Sequence, residues 1–338
     1  MYLNQLVISY ILKSILNKIL FMAHQITKKS TPRRGSLQFY PITRSDRAYH
    51  NFPSFGRLDA KEISGFAGYK AGMIQLVYLD NDKNSPTFKN EVLTNATVIE
   101  CPPLLVCALR FYNNSNNTIG ESWAQGLHKN VERRIKYKGG NADPDALKGK
   151  ASDLRLLVST QPWMTTLKKK PELFELGIGG DLNTKFPIAK ELLGKELDIS
   201  NIIKDGSFLD VSSVTKGKGF QGSVKRFGVK IYPVHASKSR RKAGNLGAES
   251  MAKVQFTVPQ HGRLGFNARV EYNKFVLKIV KEPKDINISS GYKRYGNLSK
   301  TALILKGSVP GSTGRLIIMR KALRPNKHAE PVKVSFVK

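Results

Sequence analysis

Residues 216–274 hold 13 Lys and Arg against two acids, Glu249 and Glu271, and no other property of the chain narrows its fold so far. A run of that charge repels itself and needs a polyanion beside it to stay compact. The preceding residues 171–210 are the opposite, with eight acids and four lysines, so the sign switches abruptly and marks a segment with a separate task. Across all 338 residues the formal net charge is +31. Nucleic acid is the first class of partner that such a balance favours, and an anionic membrane surface the second.

The basic segment opens with "VTKGKGFQGSVKR", where Gly217, Gly219 and Gly222 stand at the G-x-G-x-x-G spacing. That spacing holds a dinucleotide only where a strand precedes it, a helix opens on its last glycine and an acid follows about 20 residues on. "FLDVSSV" supplies the strand. After Gly222, however, come β-branched residues, Gly228 and Pro233 with no helical stripe, and the first acid, Glu249, lies 27 residues away. No Gly-Lys-Ser/Thr follows to make a P-loop. The expectation is therefore a reader of phosphate backbone: glycines allow close approach while Lys216, Lys218, Lys225 and Arg226 neutralise charge. His235, Lys238, Arg240, Arg241, Lys242, Arg263 and Arg269 continue the candidate surface, and Arg33 and Arg34 add to it from the N-terminal arm. Phe220, Phe227, Tyr232 and Phe266 are candidates for stacking on bases or riboses, with local packing as the alternative for each.

The rest of the chain reads as a folded, mainly β protein, and its 40% of apolar residues suffices for a core. Short β-branched or aromatic runs bounded by Gly, Pro, Asn or Asp predict strands: "GFAGYKAGMIQLVYLD", "ATVIECPPLLVCALRFY", "SFLDVSSV", "KFVLKIVK", "TALILKGS" and "GRLIIMR". "GESWAQGLHKNVERRIKYK" and "DPDALKGKASDLRLLVST" predict helices, as does "PIAKELLGKEL" with Pro187 near its start. The predicted architecture is a β-barrel from residues 61–115, 181–215 and 273–338, an α+β insertion at 116–180 and a long basic extension at 216–272. Residues 22–60 form a basic arm that orders on a partner. Cys101 and Cys107 read as reduced core thiols, and no histidine lies at zinc-finger spacing from them.

Residues 1–21 are apolar but interrupted by Lys13, Asn17 and Lys18, too much so to span a bilayer, and no acid precedes Asp46. Three readings of this leader stay open: an upstream extension of a chain that starts at Met22, a targeting or surface-lying amphipathic helix, and an ordered structural helix. Membrane-peripheral binding through the leader and the basic face is one alternative function; the glycine-rich extension has no purpose there. An enzyme acting on nucleic acid is the other. It would need converging carboxylates, whereas the acids cluster at 171–210 without a metal motif, and H-E-x-x-H and G-x-S-x-G are both missing. No catalytic residue, metal ligand or small-molecule substrate is expected.

Ten stretches, taken together and in order, resemble the universal large-subunit ribosomal protein three family in its archaeal and eukaryotic form. They are "PRRGSLQFYP", "GFAGYKAGM", "VIECPPLLV", "IGESWA", "STQP", "VTKGKGFQGSVKRFGVK", "GNLG", "VPQHGRLGFNARVEYNK", "GYKRYG" and "LKGSVPGSTGRLI", which run from about residue 31 to 325. The resemblance implies a translation-protein-type β-barrel and an extension, here residues 216–272, that threads through large-subunit RNA toward the peptidyl transferase centre. It further implies a structural, non-catalytic protein of the cytoplasmic ribosome that binds ribosomal RNA early in assembly and touches neighbouring ribosomal proteins. Mg²⁺ would enter only with the RNA, and no stable membrane association is implied. Three features depart from the family. Glu249 stands where members usually carry the tip tryptophan, Phe266 and Asn267 replace a common Tyr and His, and residues 1–21 have no counterpart.

Overall fold

The computed structural model describes residues 32–56, 58–135, 143–165, 167–326 and 331–336. The chain divides into two compact units, Met1–Ile42 with Lys218–Leu264 and Thr43–Gly217 with Gly265–Lys338. The predicted leader lies outside the described residues.

The strands in chain order are β1 (Gly65–Leu79), β2 (Glu91–Glu100), β3 (Leu104–Tyr112), β4 (Thr118–Trp123), β5 (Asp153–Ser159), β6 (Leu173–Gly177) and β7 (Glu196–Leu197). After them come β8 (Phe208–Val214), β9 (Phe220–Gln221), β10 (Gly262–Arg263), β11 (Ala268–Val280), β12 (Ala302–Lys306), β13 (Leu316–Lys321) and β14 (Val334–Phe336). In the larger unit, β13, β8, β11, β12, β2 and β1 pair in that order, and β1 pairs back to β13, which closes a six-stranded antiparallel barrel. Closure satisfies both edges of every strand. The long β1 shares one edge between two partners: Gly65–Tyr69 face β13, whereas Leu76, Val77 and Tyr78 face β14.

Alternation along the strands builds two apolar layers. Phe66, Ile99, Leu209, Val276, Leu303 and Met319, one from each barrel strand, belong to the main core. The neighbouring Val98, Leu277 and Ile304 turn the other way and pack with Ile286, Tyr292 and Leu298 of the segment between β11 and β12. The barrel also buries an ion pair: Nε and Nη2 of Arg320 donate to Asp210 Oδ2 at 3.2 and 3.1 Å, and Nη1 donates to Ser54 O at 2.6 Å.

A second sheet, ordered β4-β3-β5-β6 with β7 also on β3, carries the insertion. Here the boundaries differ from the sequence expectation. The run "ATVIECPPLLVCALRFY" is two strands in two sheets, because Pro102 and Pro103 lack the N–H groups that a ladder needs and the chain leaves the barrel there. β3, β7 and the helix at Leu182–Leu192 accordingly belong with the second sheet. The predicted helices shrink as well. "GESWAQGLHKNVERRIKYK" contributes β4 and a single turn, α1 (Lys129–Glu132); its residues 136–138 lie outside the described residues. "DPDALKGKASDLRLLVST" yields α2 (Pro144–Lys148) and then β5, which runs between β3 and β6. A short apolar run suits a buried strand as well as a helix, and the open edges of β3 decide it. α3 (Leu182–Leu192) starts before the expected position and holds Pro187 in its interior, one backbone hydrogen bond the poorer.

Cys101 and Cys107 are buried and unbridged. Burial pushes the Cys101 thiol well above its ordinary value and the Cys107 thiol up to about 12, so both are inert.

Candidate nucleic-acid interface

The smaller unit is built on arginines turned inward. β9 and β10 pair with Phe220 opposite Arg263, and the ladder continues through Lys218 N to Leu264 O and Leu264 N to Gly219 O, each 2.9 Å. Gly222 then opens a helix after all, α4 (Ser223–Phe227), one turn long and ended by Gly228 in the left-handed region at φ 67°. The sequence showed no stripe because five residues are too few to make one; they are also too few to form a dinucleotide-binding helix. Arg226 on this turn donates from Nε to Arg263 O at 3.0 Å and from Nη1 to Gln260 O at 2.9 Å. Its guanidinium lies against Gly262, where an added Cβ would meet Nη1 at 2.9 Å. Arg263 Nη2 donates to Ile42 O at 3.2 Å, and Arg33 Nη2 to Thr257 O at 2.8 Å, so two arginines stitch the N-terminal arm to this unit. Tyr40 adds an edge contact with Phe256, ring centroids 5.7 Å apart.

These bonds replace a core. Among the described residues of 32–42 and 218–264 no apolar side chain is buried. Of the 15 large hydrophobic residues exposed among the described residues, ten lie here, Phe220 at 72% and Phe256 at 76% among them. The unit's described residues carry twelve Lys and Arg and one acid, Glu249. Glu249 is exposed and holds no ion pair among the described residues. A segment with neither buried apolar area nor internal counter-charge has little to offset the entropy of ordering it.

Around this framework stand the exposed candidates: Arg34, Lys218, Lys225, His235, Lys238, Arg240, Arg241 and Lys242. Arg240 reaches back only weakly, Nε to Tyr232 O at 3.4 Å. An added Cβ at Gly219 or Gly222 would meet nothing within 4 Å, so the space in front of them is not filled by the chain itself. Gly219 also needs its φ of 68°. Phe220 and His261 sit side by side, centroids 5.4 Å apart, as an open aromatic pair. Among the described residues no group of three or more His, Cys, Asp or Glu could hold a metal ion, and no helix is long and apolar enough to cross a membrane.

The family model for ribosomal protein L3 matches residues 22–338. The chain belongs to the ribosomal protein L3 family. It is 42% identical over 309 residues to the large ribosomal subunit protein uL3 of Methanocaldococcus jannaschii, a match that covers 88% of this chain and 92% of that one. It is 40% identical over 322 residues to the protein of that name from Archaeoglobus fulgidus, covering 92% and 97%. Ribosomal protein L3 is not a family of enzymes.

In this L3 chain the geometry separates the candidate residues into two kinds. Arg33, Arg226 and Arg263 spend hydrogen bonds on backbone carbonyls and shape the smaller unit. Lys216, Gly217 and Arg269 belong to the larger unit, since β11 begins at Ala268, ahead of the expected boundary at 272, and its Arg269 pairs with Ser213 of β8. Arg269 is half-buried, and Nη1 donates to Ala268 O at 2.8 Å. Of the stacking candidates, Phe220 and Tyr232 are exposed. Phe227 instead lies under Arg226 at 5.0 Å, and Phe266 is held between Arg44 and Arg315 at 5.2 and 5.1 Å. Lys230, Lys253 and His261 are also exposed on the smaller unit and were not among the sequence candidates. The same run of charge could have nominated the two lysines, but only the β9–β10 register brings His261 beside Phe220.

Proposed function

We propose that the chain is a structural, non-catalytic component of the large subunit of the cytoplasmic ribosome, and that its smaller unit orders against large-subunit ribosomal RNA. One observation carries the reading: the described residues of 32–42 and 218–264 hold twelve cations and one acid over no buried apolar side chain. Phosphates supply the missing counter-charge and release condensed cations as they do so. Bases and riboses cover what Phe220, Tyr232 and Phe256 leave open. Exposed Lys218, Lys225, His235, Lys238, Arg240, Arg241 and Lys242 are the phosphate contacts. Gly219 and Gly222 admit the backbone, while Arg226 and Arg263 keep the shape that presents them. Mg²⁺ comes only with the RNA. In this reading the extension reaches toward the peptidyl transferase centre and docks early in subunit assembly, beside neighbouring ribosomal proteins.

The test replaces Arg240, Arg241 and Lys242 together by glutamine. Binding of the full chain to large-subunit RNA should fall, and the slope of log K against log salt should become shallower by about 2.7, with poorer incorporation into subunits. Unchanged incorporation and slope would sink the proposal.

A further inference from the structure

Residues 71–82 and 90–109 hold four acids and no Lys or Arg, in a chain with 56 cations among 338 residues. Part of this stretch is exposed: the outer halves of β1 and β2, where Met73 is 46% and Leu93 62% open to solvent. Met73, Gln75 and Val77 of β1 lie opposite Thr97, Asn95 and Leu93 of β2, so they share one face of the sheet. A phosphate finds no cation on it. An exposed apolar face without cations is of little use to RNA and suits cover by another protein.

The edge of this arm is open as well. β14 covers one side of β1, but on the other side β12 leaves β2 after the Lys306–Ala96 pair, and Gly307 N donates to Asn95 O at 2.8 Å as the ladder ends. Beyond that point Glu91–Thr94 pair with β1 alone among the described residues. Antiparallel pairing turns successive residues alternately toward the partner strand and away from it. Asp80 N donates to Asn90 O across the ladder, whereas Asn95 O turns to Gly307. Val92 and Thr94 therefore face β1, and Glu91 and Leu93 turn their N–H and C=O groups outward. Edges are commonly blunted by lysine, proline or a bulge. Glu91–Thr94 have none of these. Glu91, exposed and without an ion pair among the described residues, closes the edge with a negative charge.

We propose that the β2 edge at Glu91–Thr94 receives an extended strand of a neighbouring large-subunit protein. The strand pairs with the outward groups of Glu91 and Leu93, lays apolar side chains beside Met73, Val77 and Leu93, and sets a lysine or arginine against Glu91. RNA offers no alternating row of amide donors and carbonyl acceptors, and a second copy would bring a charge of +31 against +31. The proposal rests on the reading above of the chain as a component of the large subunit.

The experiment places p-benzoylphenylalanine at Asn95, beside the edge, in the full chain and irradiates large subunits isolated from cells that express it. The expected product is a cross-link to one other subunit protein, within an extended segment that carries a lysine or arginine. Leu93→Pro deletes an outward N–H while the bonds to β1 stay, a position where edge strands accept proline. It should leave the thermal midpoint of the free chain in place and cut the yield of that cross-link about fivefold, the factor that one hydrogen bond is worth. Leu93→Thr keeps the N–H and should keep the yield. Should Leu93→Pro melt lower, Leu93→Lys serves in its place: it keeps the N–H, charges the edge and should cut the yield as much. A cross-link to RNA or to a second copy, or none beyond the chain itself, overturns the proposal. So does a loss with Leu93→Thr equal to that with Leu93→Pro. A chain that fails to enter large subunits brings down the reading above first, and the edge with it.

Discussion

The two units hold themselves together by different physics. The larger one closes a barrel around apolar side chains and pairs several of its acids with its own cations, down to the Asp210–Arg320 pair with residue exposures of 1% and 5%. The smaller one has no buried apolar side chain among its described residues and one acid for twelve cations, and its guanidinium groups bond to carbonyls of its own backbone. Such bonds exchange protein for water as a partner and contribute only about 1 kcal/mol each. They fix a shape without making it stable. In the proposed reading the contrast divides the labour: the apolar core stabilises the larger unit, and a polyanion stabilises the form that the smaller one holds.

The sharpest way to break the contrast is a pair of substitutions of similar chemistry. Asp210→Asn leaves the buried Arg320 cation uncompensated and should cost the main unfolding transition about 3–5 kcal/mol. Arg226→Met removes two hydrogen bonds from the smaller unit and should leave that transition unmoved while weakening RNA binding. A drop in the main thermal midpoint with Arg226→Met would show that the smaller unit is part of the same cooperative core.

A smaller effect concerns pH. His50 Nδ1 lies 2.9 Å from Ser212 Oγ of β8, and burial pushes the imidazole below its ordinary 6.5. The unfolded chain then takes up a proton more readily than the folded one. The stability contributed by His50 is complete above pH 6.5 and declines as the pH falls through 6.5 toward the folded value. Denaturant titrations from pH 8 to 5 should show this decline for the larger unit, and His50→Gln should flatten it. An unchanged profile in the variant would remove His50 from the account of acid sensitivity.

Much of this was legible in the residues. β-branched runs between turn formers marked β1, β2, β8, β11, β12 and β13, and the charge switch near residue 216 fell beside the start of the smaller unit's long segment at Lys218, whereas the expected end at 272 overran Leu264. Three things escaped. β5 passed for a helix because its partner β3 lies far back along the chain and local spacing carries no record of it, whereas β4, the hairpin partner of β3, lay in a run whose apolar positions also suit helical spacing. The carbonyl bonds of Arg33, Arg226 and Arg263 were not legible, because a guanidinium has one sequence signature, whether it meets a phosphate or a carbonyl. The left-handed backbone of Arg294, φ 64°, escaped because φ is not written in the side-chain type.

Amide hydrogen exchange of the full chain, free and bound to large-subunit RNA, tests the division of labour most directly. The amides of β1, β2 and β8 should be protected in both states. Those of residues 218–264, including the β9–β10 ladder and α4, should exchange within seconds in the free chain and become protected by orders of magnitude on the RNA. Strong protection of 218–264 in the free chain, equal to that of the barrel, would contradict the claim that this unit draws its stability from a polyanion.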